Sequence, residues 1–100
     1  MRPFKHPTVN EFALERVLYA LSDPLRLDIV RRLDVLGQAS CGELDGGRPK
    51  SSVSHHFRVL RDAGLVYTHN VGTTHINTLR SGDLQDRFPG LLAAVLSQRP

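Results

Sequence analysis

A chain of 100 residues with 40% hydrophobic and 23% charged side chains has the composition of one globular domain, not of a disordered tract. No stretch reaches the roughly 18 consecutive apolar residues of a membrane span, and positions 1–9 hold no apolar signal core, so a soluble cytoplasmic protein without a membrane partner is expected. The lone cysteine, Cys41, excludes an intramolecular disulfide and any site built from several thiolates of one chain.

In chain order, Leu14, Val17, Leu18 and Leu21 recur at i, i+3, i+4 and i+7 and predict a first helix. Ser22-Asp23-Pro24 ends it and opens a second, with Asp23 as N-cap acceptor and Pro24 at the first helical position, where a missing N–H costs nothing. That helix is expected to run to about residue 36. It buries Ile29, Val30, Leu33 and Leu36, stops at Gly37, and keeps Arg26, Asp28, Arg31, Arg32 and Asp34 mostly on its wet side. Ser40 and Glu43 have capping-box spacing and predict a short third helix through Leu44, closed by Gly46-Gly47.

After Pro49 the strongest helix spans 50–63, with Val53, Phe57 and Leu60 inside, Ser51, Ser54, His55, Arg58 and Asp62 outside, and Gly64 as a left-handed stop. Residues 65–70 and 74–79, rich in β-branched and aromatic side chains, flank Val71-Gly72-Thr73 and predict a hairpin. In the tail, Leu84, Phe88, Leu91, Leu92, Val95 and Leu96 keep a helical period that Pro89-Gly90 interrupts. A turn of helix, a break and a final helix over about 89–97 are expected.

The net charge of +3 is unevenly spread. Residues 1–47 hold 6 basic and 7 acidic side chains, residues 48–62 hold 4 and 1, and residues 63–100 hold 3 and 2, so the excess lies in the segment of the longest helix. Such a patch in a balanced chain is the footprint expected for a polyanion. The element order, with two central helices joined by a tight glycine-containing turn, is that of a helix-turn-helix unit followed by a hairpin.

Two segments carry a more specific signal. Leu21-Ser22-Asp23-Pro24-Leu25-Arg26-Leu27 resembles the start of the second helix in ArsR/SmtB-type regulators. Ser54-His55-His56-Phe57-Arg58-Val59-Leu60-Arg61-Asp62-Ala63-Gly64-Leu65-Val66 resembles their recognition helix and the strand after it. The resemblance runs from about Leu14 to Leu96. It implies a mainly α fold with a small β-hairpin wing, a winged helix-turn-helix covering 1–100 as one DNA-binding domain with terminal dimerisation helices. It further implies a homodimeric transcription regulator, a repressor, that binds an inverted-repeat operator in double-stranded DNA. A small-molecule effector is left open, and no cofactor is implied.

The residue chemistry fits that role. Arg48, Lys50, Arg58 and Arg61 supply counter-charge to phosphates, and the amide-bearing start of the 50–63 helix can meet a phosphate with help from the Ser51 and Ser52 hydroxyls. Ser54, His55, His56 and Arg58 are placed to read base edges, Arg58 by a bidentate contact to guanine worth about 1–3 kcal/mol. His56 also lies beside Val53 and Leu60 and can equally pack at the domain edge. Arg61, late in the helix, suits a phosphate or an ion pair better than a base. In the wing, His69, Asn70, Thr73, Thr74 and His75 are polar residues near the backbone, and the absence of Arg or Lys from 70–75 departs from the family. Leu14, Val17, Leu18 and Leu21, with Leu91, Leu92, Val95 and Leu96, are expected to pair the terminal helices across a two-fold axis.

Other readings are weaker. Aligned on Glu43-Leu44, the family's paired thiolate positions fall on Ser40 and Gly42, leaving Cys41 between them. No histidine follows His75 to join Asp83 and Asp86, so no metal site is expected. His69 and His75 face each other across a three-residue loop but miss by one across a two-residue loop. Ser54 and His55 diverge by about 100° on a helix and form no nucleophile–base pair. Gly46-Gly47-Arg48-Pro49-Lys50-Ser51-Ser52 lacks the spacing of a phosphate loop, and no catalytic residue is expected. A protein-binding winged helix is the runner-up, disfavoured because the 48–61 face is basic and Ser/His-rich instead of aromatic.

Overall fold

The computed structural model describes residues 3–98; the remaining ends of the expected 1–100 domain lie outside that span. A 3-10 turn (Val9–Glu11) precedes helices α1 (Leu14–Leu21) and α2 (Pro24–Leu36). Strand β1 (Gln38–Ser40), α3 (Cys41–Leu44) and α4 (Lys50–Ala63) follow, then β2 (Val66–Val71), β3 (Thr74–Leu79), α5 (Ser81–Arg87) and α6 (Leu91–Leu96). The result is a mostly helical winged helix-turn-helix with a small antiparallel sheet.

The α1–α2 corner is fixed by two side chains of the Leu-Ser-Asp-Pro-Leu-Arg segment. Asp23 caps α2 by accepting the amides of Leu25 and Arg26 at 3.0 and 3.1 Å. Arg26, expected on the wet side, is only 4% exposed. Its guanidinium donates to the Ala20 carbonyl at 2.8 Å, an acceptor at the end of α1, and at 3.2 Å to the Tyr19 carbonyl, which also accepts the Ser22 amide and hydroxyl. Helical period alone could not reveal that capping demand. At the other end of α2 the expectation for Leu36 also fails: it is 54% exposed and its neighbour Val35 84% exposed, because α2 outruns the elements packed beneath it.

The core joins Val17, Ala20 and Leu21 of α1 to Ile29, Val30 and Leu33 of α2. Val53, Phe57 and Leu60 of α4 close it, with Leu65, Val66 and Leu84. The stripes read from the sequence for α2 and α4 are thus the buried faces, apart from Leu36, whereas the α1 stripe is buried only at Val17 and Leu21, with Leu14 and Leu18 left exposed. Gly64 ends α4 in the left-handed region at φ 89°, with the Leu65 amide reaching back to the Leu60 carbonyl at 3.0 Å. A Cβ there would also run into the Phe12 ring.

The sheet has three strands in the order β1-β3-β2, whereas the sequence suggests only the hairpin. A three-residue strand such as β1 is too short to show a period. Its place is set by a buried polar chain. The Thr68 hydroxyl donates to the Asn77 side-chain carbonyl at 2.7 Å, and the Asn77 amide reaches the Ala39 carbonyl and Cys41 Sγ, both at 3.3 Å. The wing and the start of α3 are therefore tied together by satisfied polar groups inside the core.

The hairpin loop has two residues, since Val71 pairs with Thr74, and the positive φ of 61° at Gly72, the first of them, is the signature of a type II′ turn. The tail also differs from expectation. α5 runs a full seven residues, and α6 begins at Leu91, not at residue 89, because Gly90 takes up φ 82° and makes Pro89-Gly90 the bend itself.

Residues 3–7 run beside the hairpin as an ordered arm. His6 Nε2 accepts the Thr68 amide at 2.9 Å and its ring stacks on Tyr67, while Arg80 donates to the Pro7 carbonyl at 2.8 Å. The arm thereby occupies a donor on β2, one of the two edge strands of the sheet.

Candidate nucleic-acid interface

α3, the turn through Gly46 and Gly47, and α4 make the helix-turn-helix. Ser40 caps α3 as the capping box requires: its hydroxyl accepts the Glu43 amide at 3.2 Å, and the Glu43 carboxylate accepts the Ser40 amide at 2.9 Å. The Asp45 side chain accepts the Gly47 amide at 2.8 Å and turns the chain toward Pro49. Pro49 supplies no side-chain cap to α4, so the positive end of a 14-residue helix faces outward flanked by Lys50, Ser51 and Ser52.

The outer face of α4 is as the sequence implies. Arg48, Lys50, Ser51, Ser52, Ser54, His55 and Arg58 are all exposed. Arg58 sits 3.9 Å from Asp62 at i+4, with both side chains more than half exposed; a pair of this kind contributes at most about 1 kcal/mol and can exchange its partner.

The remaining two residues of the helix lie elsewhere. His56 points inward: its Nδ1 stands 3.0 Å from Arg26 Nη1 and 3.8 Å from Asp23, joining α4 to the α1–α2 corner. Of its two readings, packing at the domain edge describes this placement. Arg61 is half-buried with its guanidinium 4.3 Å above the Phe4 ring, and burial lowers its pKa from the ordinary value. No hydrogen bond or ion pair engages it among the described residues.

In the wing, His69, Thr73 and Thr74 are exposed, and Asn70 and His75 are half-buried. His69 is opposite Ile76 and His75 opposite Asn70, so the two histidines point to opposite faces and form no pair. His75 instead meets the edge of Phe4 at 5.0 Å between ring centres. Phe4 and His6 carry no periodicity or motif, and nothing in the sequence marks their association with the wing. Among the described residues, no three His, Cys, Asp or Glu side chains gather as a metal site, and no helix is long and apolar enough to cross a membrane.

The residues expected to pair subunits divide into two groups. Val17, Leu21 and Leu92 belong to the core of the chain itself, at 1%, 9% and 9% exposure. Leu14 and Leu18 remain 44% and 48% exposed beside Tyr19, and Leu91, Val95 and Leu96 are half-buried.

Residues 21–69 match the family described as Helix-turn-helix domain. Over 83 residues the chain is 40% identical to the uncharacterized HTH-type transcriptional regulator YceK of Bacillus subtilis (strain 168), covering 80% of this chain and 83% of that protein. Among solved structures, an ArsR family transcriptional regulator shares the fold with a TM-score of 0.67 at 23% identity, covering 86% of this chain and 98% of its own. The transcriptional repressor BigR from Xylella fastidiosa matches with a TM-score of 0.62 at 28% identity, over 86% and 88%.

Proposed function

Because the chain belongs to the HTH-type transcriptional regulators and shares the fold of an ArsR family regulator, we propose that it is an ArsR-type repressor that binds an inverted-repeat operator in double-stranded DNA as a homodimer. The observation that carries this reading is the outer face of α4, where Lys50, Ser54, His55 and Arg58 are exposed together at the open end of a well-anchored helix. Phosphates are met by Arg48, Lys50, Ser51 and Ser52, and base edges by Ser54, His55 and Arg58. His69, Asn70, Thr73, Thr74 and His75 line the wing along the backbone. The chain acts as one binding unit in the cytoplasm, without catalysis.

Dimerisation rests on the apolar surface left on α1, Leu14 and Leu18 with Tyr19, together with the half-buried Leu91, Val95 and Leu96. Selection of bound duplexes from a random pool at fixed salt tests the proposal. An enriched inverted repeat is expected. A pool that stays random, together with elution from heparin at low salt, would instead favour the protein-binding reading.

A further inference from the structure

We propose that this protein has a binding site for a small aromatic carboxylate between the N-terminal arm and the recognition helix, and that filling the site releases DNA. A cavity of about 360 Å³ opens there. Phe4 of the arm forms one wall, Val53 and Phe57 of α4 the floor, and His75 of β3 closes an edge against Phe4. That volume lies within the usual range of small-ligand sites, roughly 300–1,000 Å³, and an aromatic and aliphatic lining with few polar groups is their usual character.

Charge selects the occupant. The side chains around the cavity that carry full charge are Lys50 and Arg61, and no carboxylate lines it among the described residues. Arg61 is the more telling. It is half-buried, its fork of N–H donors is engaged by no acceptor among the described residues, and the face of Phe4 is its nearest compensation, with Asp62 and Cys41 acting on it only without contact. A guanidinium withdrawn from water without an anion is incompletely satisfied, and a carboxylate fits its fork in bidentate geometry. A planar apolar body attached to that carboxylate would lie between Phe4 and the floor.

Competition with DNA follows from position and rests on the proposed operator binding. Lys50, Ser51 and Ser54 border the same cavity and belong to the DNA-facing side of α4. A bound anion lowers the positive potential there, and a ring inserted beside Phe4 disturbs its contact with His75 on the wing. Linkage then requires DNA to weaken the ligand by the same factor that the ligand weakens DNA.

The test uses the full chain, with 2-naphthoate and its neutral isostere 2-naphthamide as probes in isothermal titration calorimetry without DNA. The carboxylate is expected to saturate at one per chain and to bind about tenfold more tightly than the amide. Arg61→Gln should abolish that preference and Arg61→Lys should retain part of it. Equal binding of the two probes, no binding of either, or a preference untouched in a folded Arg61→Gln protein would overturn the site. If Arg61→Gln does not fold, the contrast of the two probes on the unaltered chain still decides.

A second measurement adds each probe to the protein bound to its selected duplex. Release by naphthoate and not by naphthamide is expected. A saturated site with DNA still bound would overturn the competition. Loss of the operator reading shows itself differently, as a protein that binds naphthoate but selects no duplex.

Discussion

Three residues outside the DNA face show how it is held in place. Arg26 spends its charge on the last carbonyls of α1 and on His56 of α4, so one guanidinium joins three helices. Arg26→Ala takes from the Ala20 carbonyl its buried donor and from His56 its partner, and is expected to destabilise the fold by about 1–3 kcal/mol, read as a lower urea midpoint at unchanged slope. Gly64→Ala is expected to cost more than about 1 kcal/mol in the same assay, because it combines a left-handed φ of 89° with a Cβ directed into Phe12.

His6 gives a pH dependence. Burial first, then the charges of Arg80 and Arg61, lower its pKa from the ordinary 6.5, which suits an imidazole that must stay neutral to accept the Thr68 amide. A folded value below the unfolded one means that the arm's contribution is complete above pH 6.5 and is lost as the pH falls through the folded value. Hydrogen exchange at the Thr68 amide should therefore lose protection on acidification, and His6→Ala should remove that pH dependence. Constant protection from pH 7 to below the folded value would show that the arm is held by other contacts.

At the scale of elements, α4 is both a core helix and a reading head, and the two roles fall on different faces. Lys50, at the open helix end, acts as a point charge. Lys50→Ala is expected to weaken operator and scrambled DNA nearly equally and to reduce the salt dependence by about one ion per chain. Arg58→Ala should instead lower operator affinity by about 1–3 kcal/mol per half-site and spare non-specific binding. Equal losses on both DNAs would make Arg58 another phosphate contact.

Much of this was legible in the sequence, because Val53, Phe57, Leu60 and their polar counterparts alternate with a strong helical period, and Asp23, Ser40 and Gly64 are local punctuation. What stayed hidden depends on non-local partners. The burial of Arg26 answers a need of a different helix, β1 exists because Asn77 and Ala39 meet across 38 positions, and Phe4 has meaning only against Arg61 and His75. The final helix start was missed because Pro89 suits a first helical turn, whereas here the bend at Gly90 follows it.

The whole molecule measures 35 × 31 × 21 Å, so a single copy presents one α4 to DNA and covers little more than one groove. Two copies related by a two-fold axis would place two α4 helices in successive major grooves, with half-site centres about 34 Å apart or a small multiple of that. The surface available for that pairing is defined by what the core leaves out: Leu14 and Leu18 are exposed on α1, while Val17 and Leu21, one face round, are already spent inside the chain. Leu18→Glu separates these roles. It puts a charge on the exposed stripe at a residue 48% open to solvent, so the chain itself should remain folded. Sedimentation at micromolar concentration should then change from twice the 11.1 kDa chain mass to the chain mass. Operator affinity should fall toward that of an isolated half-site, because the second contact no longer benefits from a high effective concentration. Val17→Glu, aimed at a buried position, should unfold the protein instead. A Leu18→Glu protein that stays dimeric would move the interface away from α1, and an unaltered chain that sediments as a monomer while binding an inverted repeat would require the duplex itself to assemble the pair.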